Sequence, residues 1–477
     1  MSQQKPNARR TSKRPTVVRG EQKQVSGQSE PSSLPSIRPS NGDHAAWLAY
    51  WQEQNQPWRT EPEISPERRA ELEKRRALVP DIEKGIYPFK GIKLDRADVE
   101  WLLTTHDGGL VNWSDEKERE REGLDVRGAD LQQADLHQLP LTRLRGGLTF
   151  DEWGKAPEEQ RNLAVVLMRG TNLSGAQLEG AILRRAQLER AILRWAQLQG
   201  AHLSWAQLQG AILYRAYLKG AHLRGAQLEG ADLSEAQLEG ADLSRAQLKG
   251  AILSGAQLKG AILRNVILGD KQRIGPRLAD LQWGDNNLAV VDWSQVDVLG
   301  DEREARQKKT PDGKKKEKAE RLSEYQAAVR ANRQLAVALQ SQGLSEEAAR
   351  FAYRAQRLQR IVLRRQWRQW KVGSYLFSGF LDLIAGYGYR PGRTVLWYLC
   401  VIVSFAVAYF ALGHLPPFPD ALVFSLMSFH GRGFFPSLSS ETSLHNQVVE
   451  IAAIEAVVGL LIEISFIATF TQRYFGK

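Results

Sequence analysis

Apolar positions recur along the chain at different periods, and each period predicts a different kind of element. From residue 161 to 268 the spacing is five. Leu occupies every fifth position from Leu173 to Leu268, twenty times without a gap. Ala stands two residues earlier in eighteen consecutive units, Ala176 to Ala261. A helix needs an apolar spacing near 3.6 and a strand a spacing of about 2. A strict five satisfies neither. It fits a coil of short straight faces, each closed by a tight corner, with one Leu and one small Ala turned inward per unit. Self-similarity at a fixed period marks a solenoid. The same phase runs back to Met168 and Leu163. Weaker phases start at Leu94 and Val99, continue through Val126, Leu131, Leu136 and Leu141, and resume at Leu281, Leu288, Trp293 and Val298. The solenoid is therefore expected over 90–299, with a helical excursion at 149–160.

The unit A-x-L-x-x resembles the pentapeptide-repeat family. That resemblance implies a right-handed quadrilateral β-helix with four units per coil. Twenty units then make five coils, a rod core about 24 Å long at ~4.8 Å per coil. With twenty residues per coil, one outward column reads Ile192, Ile212, Asp232, Ile252. Its opposite reads Ile182, His202, His222, Asp242, Ile262. Such a ladder serves either β-packing along the stack or docking of a protein partner. The open ends of a solenoid expose unpaired backbone, so the flanking helices are expected to cap them.

Those flanks read as follows. Residues 1–43, rich in Ser, Gln, Pro, Lys and Arg, predict a disordered basic tail. Residues 44–89 predict short helices, one starting at Ser65-Pro66, a cap followed by proline. Residues 300–320 read as a charged linker. Residues 321–385 predict a helical connector. Its segment 332–355 looks like a single tetratricopeptide-type hairpin, with Gly343 at the turn. Residues 354–371 then carry Arg354, Arg357, Arg360, Arg364, Arg365, Arg368 and Lys371 with no acid, and Trp367 and Trp370. Basic residues and tryptophans just before a hydrophobic span predict an interfacial anchor on anionic lipid.

The longest apolar runs lie in 386–477. Residues 395–412 carry no charge and span about 27 Å as a helix, enough to cross a bilayer. Residues 448–470 form a second expected span, interrupted by Glu450, Glu455 and Glu463. Basic residues crowd before the first span and follow the second, while the intervening loop holds only Arg432. The positive-inside rule then places both termini in the cytoplasm of a two-span cell-membrane protein.

Between the spans, FPDALVFSLMSFHGRGFFP (418–436) predicts a short helix that breaks at Gly431 and Gly433, a re-entrant pattern. This region resembles the two-transmembrane pore module of the potassium-channel superfamily. DALVFSLMSF matches the pore helix, and GRG stands in place of the filter's Gly-Tyr-Gly. EAVVGLLIEISFIATF matches the inner helix, with a hinge at Gly459. The resemblance implies a filter-like path through Ser428, Phe429, His430, Gly431, Arg432 and Gly433, in a homo-oligomer that surrounds one axis. The Thr-Val-Gly-Tyr-Gly filter itself is absent. Glu455, Gly459 and Glu463 share one stripe of the helix. Glu455 is expected to pair with Arg432 behind the filter, leaving Glu463 to the cavity; an ion pair that merely holds the loop is the structural alternative.

Composition narrows the functions. The net charge is +11, which favours an anionic surface. Residues 161–268 hold 13 Lys/Arg against 7 Asp/Glu, the wrong sign for a mimic of DNA, and no nucleic-acid partner is expected. The single cysteine, Cys400, excludes an internal disulfide. Scattered histidines offer no metal-ligand spacing, and no phosphate loop or nucleophile motif stands out, so no metal, cofactor or catalysis is expected. The chain reads as an ion-channel-like pore module coupled to a cytoplasmic solenoid that senses, tethers or assembles. The alternative is a non-conducting, membrane-anchored scaffold.

Overall fold

The computed structural model describes residues 38–40, 42–106, 109–366, 372–387, 389–411, 417–431 and 447–474. The expected tail, 1–43, falls almost wholly outside them. A mixed architecture follows the chain: an N-terminal helical cap, a solenoid, a C-terminal helical cap and a separate helical module.

The solenoid is built from single parallel bridges; among the described residues no stretch is long enough to count as a strand. In the strict run each bridge joins residue i to i+20, so a coil is four units. One column runs Asn172, Ile192, Ile212, Asp232, Ile252. The opposite one runs Ile182, His202, His222, Asp242, Ile262. The backbone holds the stack together: Leu193 N–H donates to Ile212 O at 2.7 Å, and Ile212 N–H to Ala191 O at 2.9 Å. Every Leu and Ala of the run is buried, in one continuous core. Ala is required beside each Leu because four units converge on one axis and leave no room for a second large side chain. At the corners, Ala196 N–H donates to Leu193 O at 3.2 Å, and the third residue of that turn, Trp195, has φ +53°. An L-residue there costs about 1 kcal/mol, a cost absent where Gly175 and Gly255 take the same corner in other coils.

Beyond the strict run the coil lengthens. Ile252 bridges Arg277 and Gln257 bridges Gln282, so five extra residues loop out without breaking the columns. On the N-terminal side Asp130 bridges Leu167. The excess there is taken up by α4 (Phe150–Lys155) and α5 (Glu158–Arg161), preceded in the chain by α1 (His44–Glu53), α2 (Pro66–Arg76) and α3 (Arg96–Thr105). Ser65 caps α2 by accepting from Arg68 N–H at 3.2 Å. Helix α3 closes the N-terminal end: Val99, Trp101, Leu102 and Leu103 join the solenoid core. Glu100 in α3 is fully buried, and accepts from Thr60 N–H at 2.9 Å, Glu61 N–H at 3.0 Å and the Arg96 guanidinium at 2.8 Å.

The C-terminal end is closed by α6 (Gly300–Arg306), α7 (Lys318–Gln340) and α8 (Ser345–Arg365). Backbone donors left open by the last coil meet side chains of these helices. Asp301 accepts from Leu278 N–H at 2.6 Å and Ala279 N–H at 3.2 Å. Gln334 accepts from Asp280 N–H and Gln342 from Leu288 N–H, at 3.0 and 2.6 Å. Burial pushes the Asp301 carboxyl up to about 6. Leu335, Leu339 and Phe351 extend the core, and Trp293 stands edge-on to Phe351. Of the stretch 300–320, expected as a charged linker, α6 and Lys316 are packed into the cap, while most of 307–320 is exposed. Lys316 is buried against Glu304 and Glu324, and Glu302 against Arg306 and Arg354. The antiparallel pair α7–α8 turns at Gly343, φ +78°.

Helix α9 (Val372–Ala385) leads into α10 (Pro391–Ala411), α11 (Phe418–Phe429) and α12 (Gln447–Tyr474). Asp382 of α9 links this module to the cap. It accepts from Tyr353 OH at 3.1 Å and from Arg360 at 3.0 Å, both on α8, and lies 4.0 Å from Arg393 at the start of α10.

Candidate functional site

Two regions carry side chains that local packing leaves over. The first is the outside of the solenoid. Two stacked imidazoles, His202 and His222, have ring centroids 4.7 Å apart. Burial, then His222 and the guanidiniums of Arg143 and Arg184, hold His202 below its ordinary value. On another face a shallow groove of about 500 Å³ is lined by Trp195, Arg215, Tyr217, Glu235, Gln237 and Gln257. Arg215 and Glu235 pair across it at 2.6 Å. Trp205 lies flat over Gly225, where a Cβ would come within 2.6 Å of the indole. Ile262 is half exposed, so the ladder of apolar outward residues is incompletely covered by its own neighbours.

The second region is the module α10–α12. Three contacts position it. Glu455, in the first third of α12 and fully buried, accepts from Tyr409 OH of α10 at 2.7 Å and touches Ser425 Oγ of α11. Ser425 Oγ donates to the Ile402 carbonyl of α10 at 2.9 Å. At Gly459 a Cβ would sit 2.0 Å from the Phe429 carbonyl oxygen, so only glycine lets α12 cross the end of α11. The resemblance assigned Gly459 a hinge; its place in the structure is a close backbone approach. At the same end His430 Nε2 lies 3.3 Å from Glu463, while His430 Nδ1 reaches the Leu426 carbonyl at 2.8 Å. Glu463 therefore has a partner on α11.

The expected filter residues divide. Ser428 and Phe429 are the last residues of helix α11 and are buried, so they are not part of an extended path. The run FPDALVFSLMSF is helix-forming to its end, and the turn comes at Gly431, φ +66°, with His430 as the cap residue. Arg432 and Gly433 lie outside the described residues, and so does the expected Arg432–Glu455 pair. The hydroxyls of Ser425 and Tyr409 on Glu455 carried no sequence signal, because they come from other helices; an alternation of apolar and hydroxyl residues in α11 was the available hint.

The basic run 354–371 is part paired and part exposed where it is described: Arg357, Arg364 and Arg365 are exposed, Arg354 and Arg360 half-buried. Arg354 pairs with Glu302, Arg360 with Asp382, and the Arg365 guanidinium lies 4.4 Å from the Tyr325 ring centroid. Residues 367–371 lie outside the described residues. Among the described residues only Gly392–Ala411 is long and apolar enough to cross a membrane; the expected second span, 448–470, lies within α12 and carries three glutamates. Among the described residues no three His, Cys, Asp or Glu side chains gather as a metal site.

Comparison with known proteins bears on the solenoid. Residues 167–204, 201–240 and 231–270 match the family model for pentapeptide repeats. Comparison with curated proteins returns no match. Solved structures similar to this chain include QnrB1, a plasmid-mediated fluoroquinolone resistance protein, at 18% identity over 36% of this chain and 77% of that one, with a TM-score of 0.26. A pentapeptide repeat protein of the Arabidopsis thaliana thylakoid lumen is 36% identical over 21% of this chain and 68% of its own, TM-score 0.15. HetL, a pentapeptide repeat protein involved in heterocyst differentiation regulation from the cyanobacterium Nostoc, is 22% identical over 37% of this chain and 95% of that one, TM-score 0.12. The five-residue period, the twenty-residue coil and the family match converge: the chain is a pentapeptide-repeat protein.

Proposed function

We propose that the chain is a membrane-attached scaffold that carries a capped solenoid at the bilayer surface for a protein partner. One observation carries this reading: the module wears its apolar side chains on the outside. Leu396, Leu399, Val403, Val407 and Phe410 form one exposed stripe of α10, and Ile454, Val457, Leu461 and Ile464 another on α12. An apolar patch of that extent is unfavourable in water and fits lipid or a second copy. The solenoid differs, with outward columns rich in Gln and charge. Cys400, exposed on α10, gives the test. In native membranes an uncharged maleimide should label it and a charged one should not; equal labelling by both would place the helix in water. Arg357 and Arg364, exposed on α8, are left to meet anionic headgroups, which retention on vesicles with and without anionic lipid would read.

A second reading, ion conduction by a homo-oligomer, is favoured by a specific observation. Helix α11 is held between two longer helices by Ser425, its end lies against Gly459, and the turn at Gly431 follows it; a short helix broken by glycine between two longer ones is what supports this reading. Flux through purified protein in liposomes tests it. Loss of flux in Gly431→Val plus Gly433→Val, at preserved expression, would support a pore; no flux in wild type for cations or anions would leave the scaffold.

A further inference from the structure

The hydrogen bonds around Glu455 require one more proton than the neighbouring hydroxyls supply. Ser425 Oγ lies between two oxygens: the Ile402 carbonyl at 2.9 Å and Glu455 Oε1, in hydrogen-bond contact. A serine hydroxyl has one proton, and a carbonyl oxygen has none. If Ser425 donates to an ionised Glu455, its oxygen faces the Ile402 carbonyl lone pair to lone pair inside a buried site. If it donates to Ile402, the proton of the Glu455 contact must come from the carboxyl itself. Tyr409 OH, 2.7 Å from Oε2, supplies the remaining donor. A carboxylic acid closes the set: Oε1–H donates to Ser425, Ser425 to Ile402, and Tyr409 to Oε2.

The surroundings agree. Glu455, Ser425 and Tyr409 are each fully shielded from solvent, and an unpaired carboxylate there would be costly. The titratable and charged groups on the packed elements are Tyr375 and Asp382 on α9, Arg393, Tyr398, Cys400 and Tyr409 on α10, Asp420 on α11 with His430 at its cap, and Glu450, Glu463, Arg473 and Tyr474 on α12. Of those that can be cationic, Arg393 lies against Asp382 and His430 against Glu463. Among the described residues no lysine, arginine or histidine pairs with Glu455.

We propose that Glu455 is a proton-binding site, a neutral carboxylic acid that ties α10, α11 and α12 together by donating as well as accepting. Its ligand is a single proton, and losing that proton frees α11, because Ser425 must then leave Ile402 to serve the carboxylate. The hydrogen-bond count is the same in lipid or in water, so this site stands apart from the membrane reading.

The test is infrared difference spectroscopy of the full chain in detergent, wild type against Glu455→Gln. A carboxamide can donate to Ser425 and accept from Tyr409, so the variant should melt with wild type. The expected difference is loss of a protonated-carboxyl C=O stretch with carboxylate bands unchanged. Loss of carboxylate bands alone would overturn the site and point to an ion pair, with Arg432 as the candidate. Should the variant not fold, wild type decides through hydrogen exchange corrected for intrinsic rate. Protection of the α11 amides must fall as rising pH removes the Glu455 proton; unchanged protection up to the alkaline limit of the fold overturns the proposal.

Discussion

The solenoid and the module α10–α12 hold themselves together by opposite means. In the solenoid the cohesive element is repeated: each coil buries four Leu and four Ala and passes its backbone hydrogen bonds to the next. In the module cohesion is concentrated. One carboxyl, Glu455, reaches two other helices, and one glycine, Gly459, permits the closest backbone contact. Repetition makes a single lesion local and partial. Concentration makes a single lesion decisive.

Four substitutions break or sharpen that contrast. The largest effect is expected of Gly459→Val, which drives a branched side chain into the Phe429 carbonyl. Overpacking against backbone should cost about 3 kcal/mol or more, seen as loss of protected amides in α11 and α12 by hydrogen exchange while the solenoid keeps its own. Equal loss in both regions would end the idea that they are separable. Next is Leu208→Ala in the middle coil. It removes a fully buried side chain and should cost about 3 kcal/mol; chemical denaturation should give a lower midpoint, with the columns of distant coils still protected.

Asp301→Asn probes the joint between solenoid and cap through pH. The folded carboxyl titrates near 6, above its unfolded value. Its stabilisation is therefore fully present below about pH 4 and is lost as pH rises through about 6. Melting temperature across that window should slope downward in wild type, and the variant should lack that component; parallel slopes would mean that Asp301 is not the group responsible. The smallest effect is expected of Tyr409→Phe. Deleting one donor to Glu455 should cost about 1 kcal/mol, visible as a modest drop in the module's melting temperature; a collapse as large as that of Gly459→Val would mean that the hydroxyl does more than hydrogen-bond.

What the sequence made legible follows the same division. The period of five, together with the four-unit coil that the family resemblance implies, placed Ile182, His202, His222, Asp242 and Ile262 in one column, because in a stacked coil the neighbours of a residue are fixed by counting. Nothing comparable announced the cap. Asp301 bonds backbone groups more than twenty residues away, and Lys316 is buried between two glutamates; in the run DEREARQKKTPDGKKKEKAE these few buried charges look like their exposed neighbours until their partners are known. Arg354 and Arg360 misled for the same reason, their acids lying on α6 and α9. In α11 the sequence foretold a helix through DALVFSLMSF, and the filter-like path drawn from Ser428 overlapped its end; Ser428 and Phe429 are helical. The partners of Glu455 were hidden because tertiary hydrogen bonds between helices leave no periodic trace.

The twenty-residue coil has an evolutionary consequence. Duplicating or deleting one whole coil would change the distance between the two end caps by about 4.8 Å while leaving them facing the same way. A change of five residues would instead turn everything downstream by a quarter revolution, unless the extra unit loops out. The chain holds an example of that escape between Ile252 and Arg277. Length in this protein can thus drift in whole-coil steps without re-aiming the helices that follow, and indels of other sizes should survive only where they bulge from a corner.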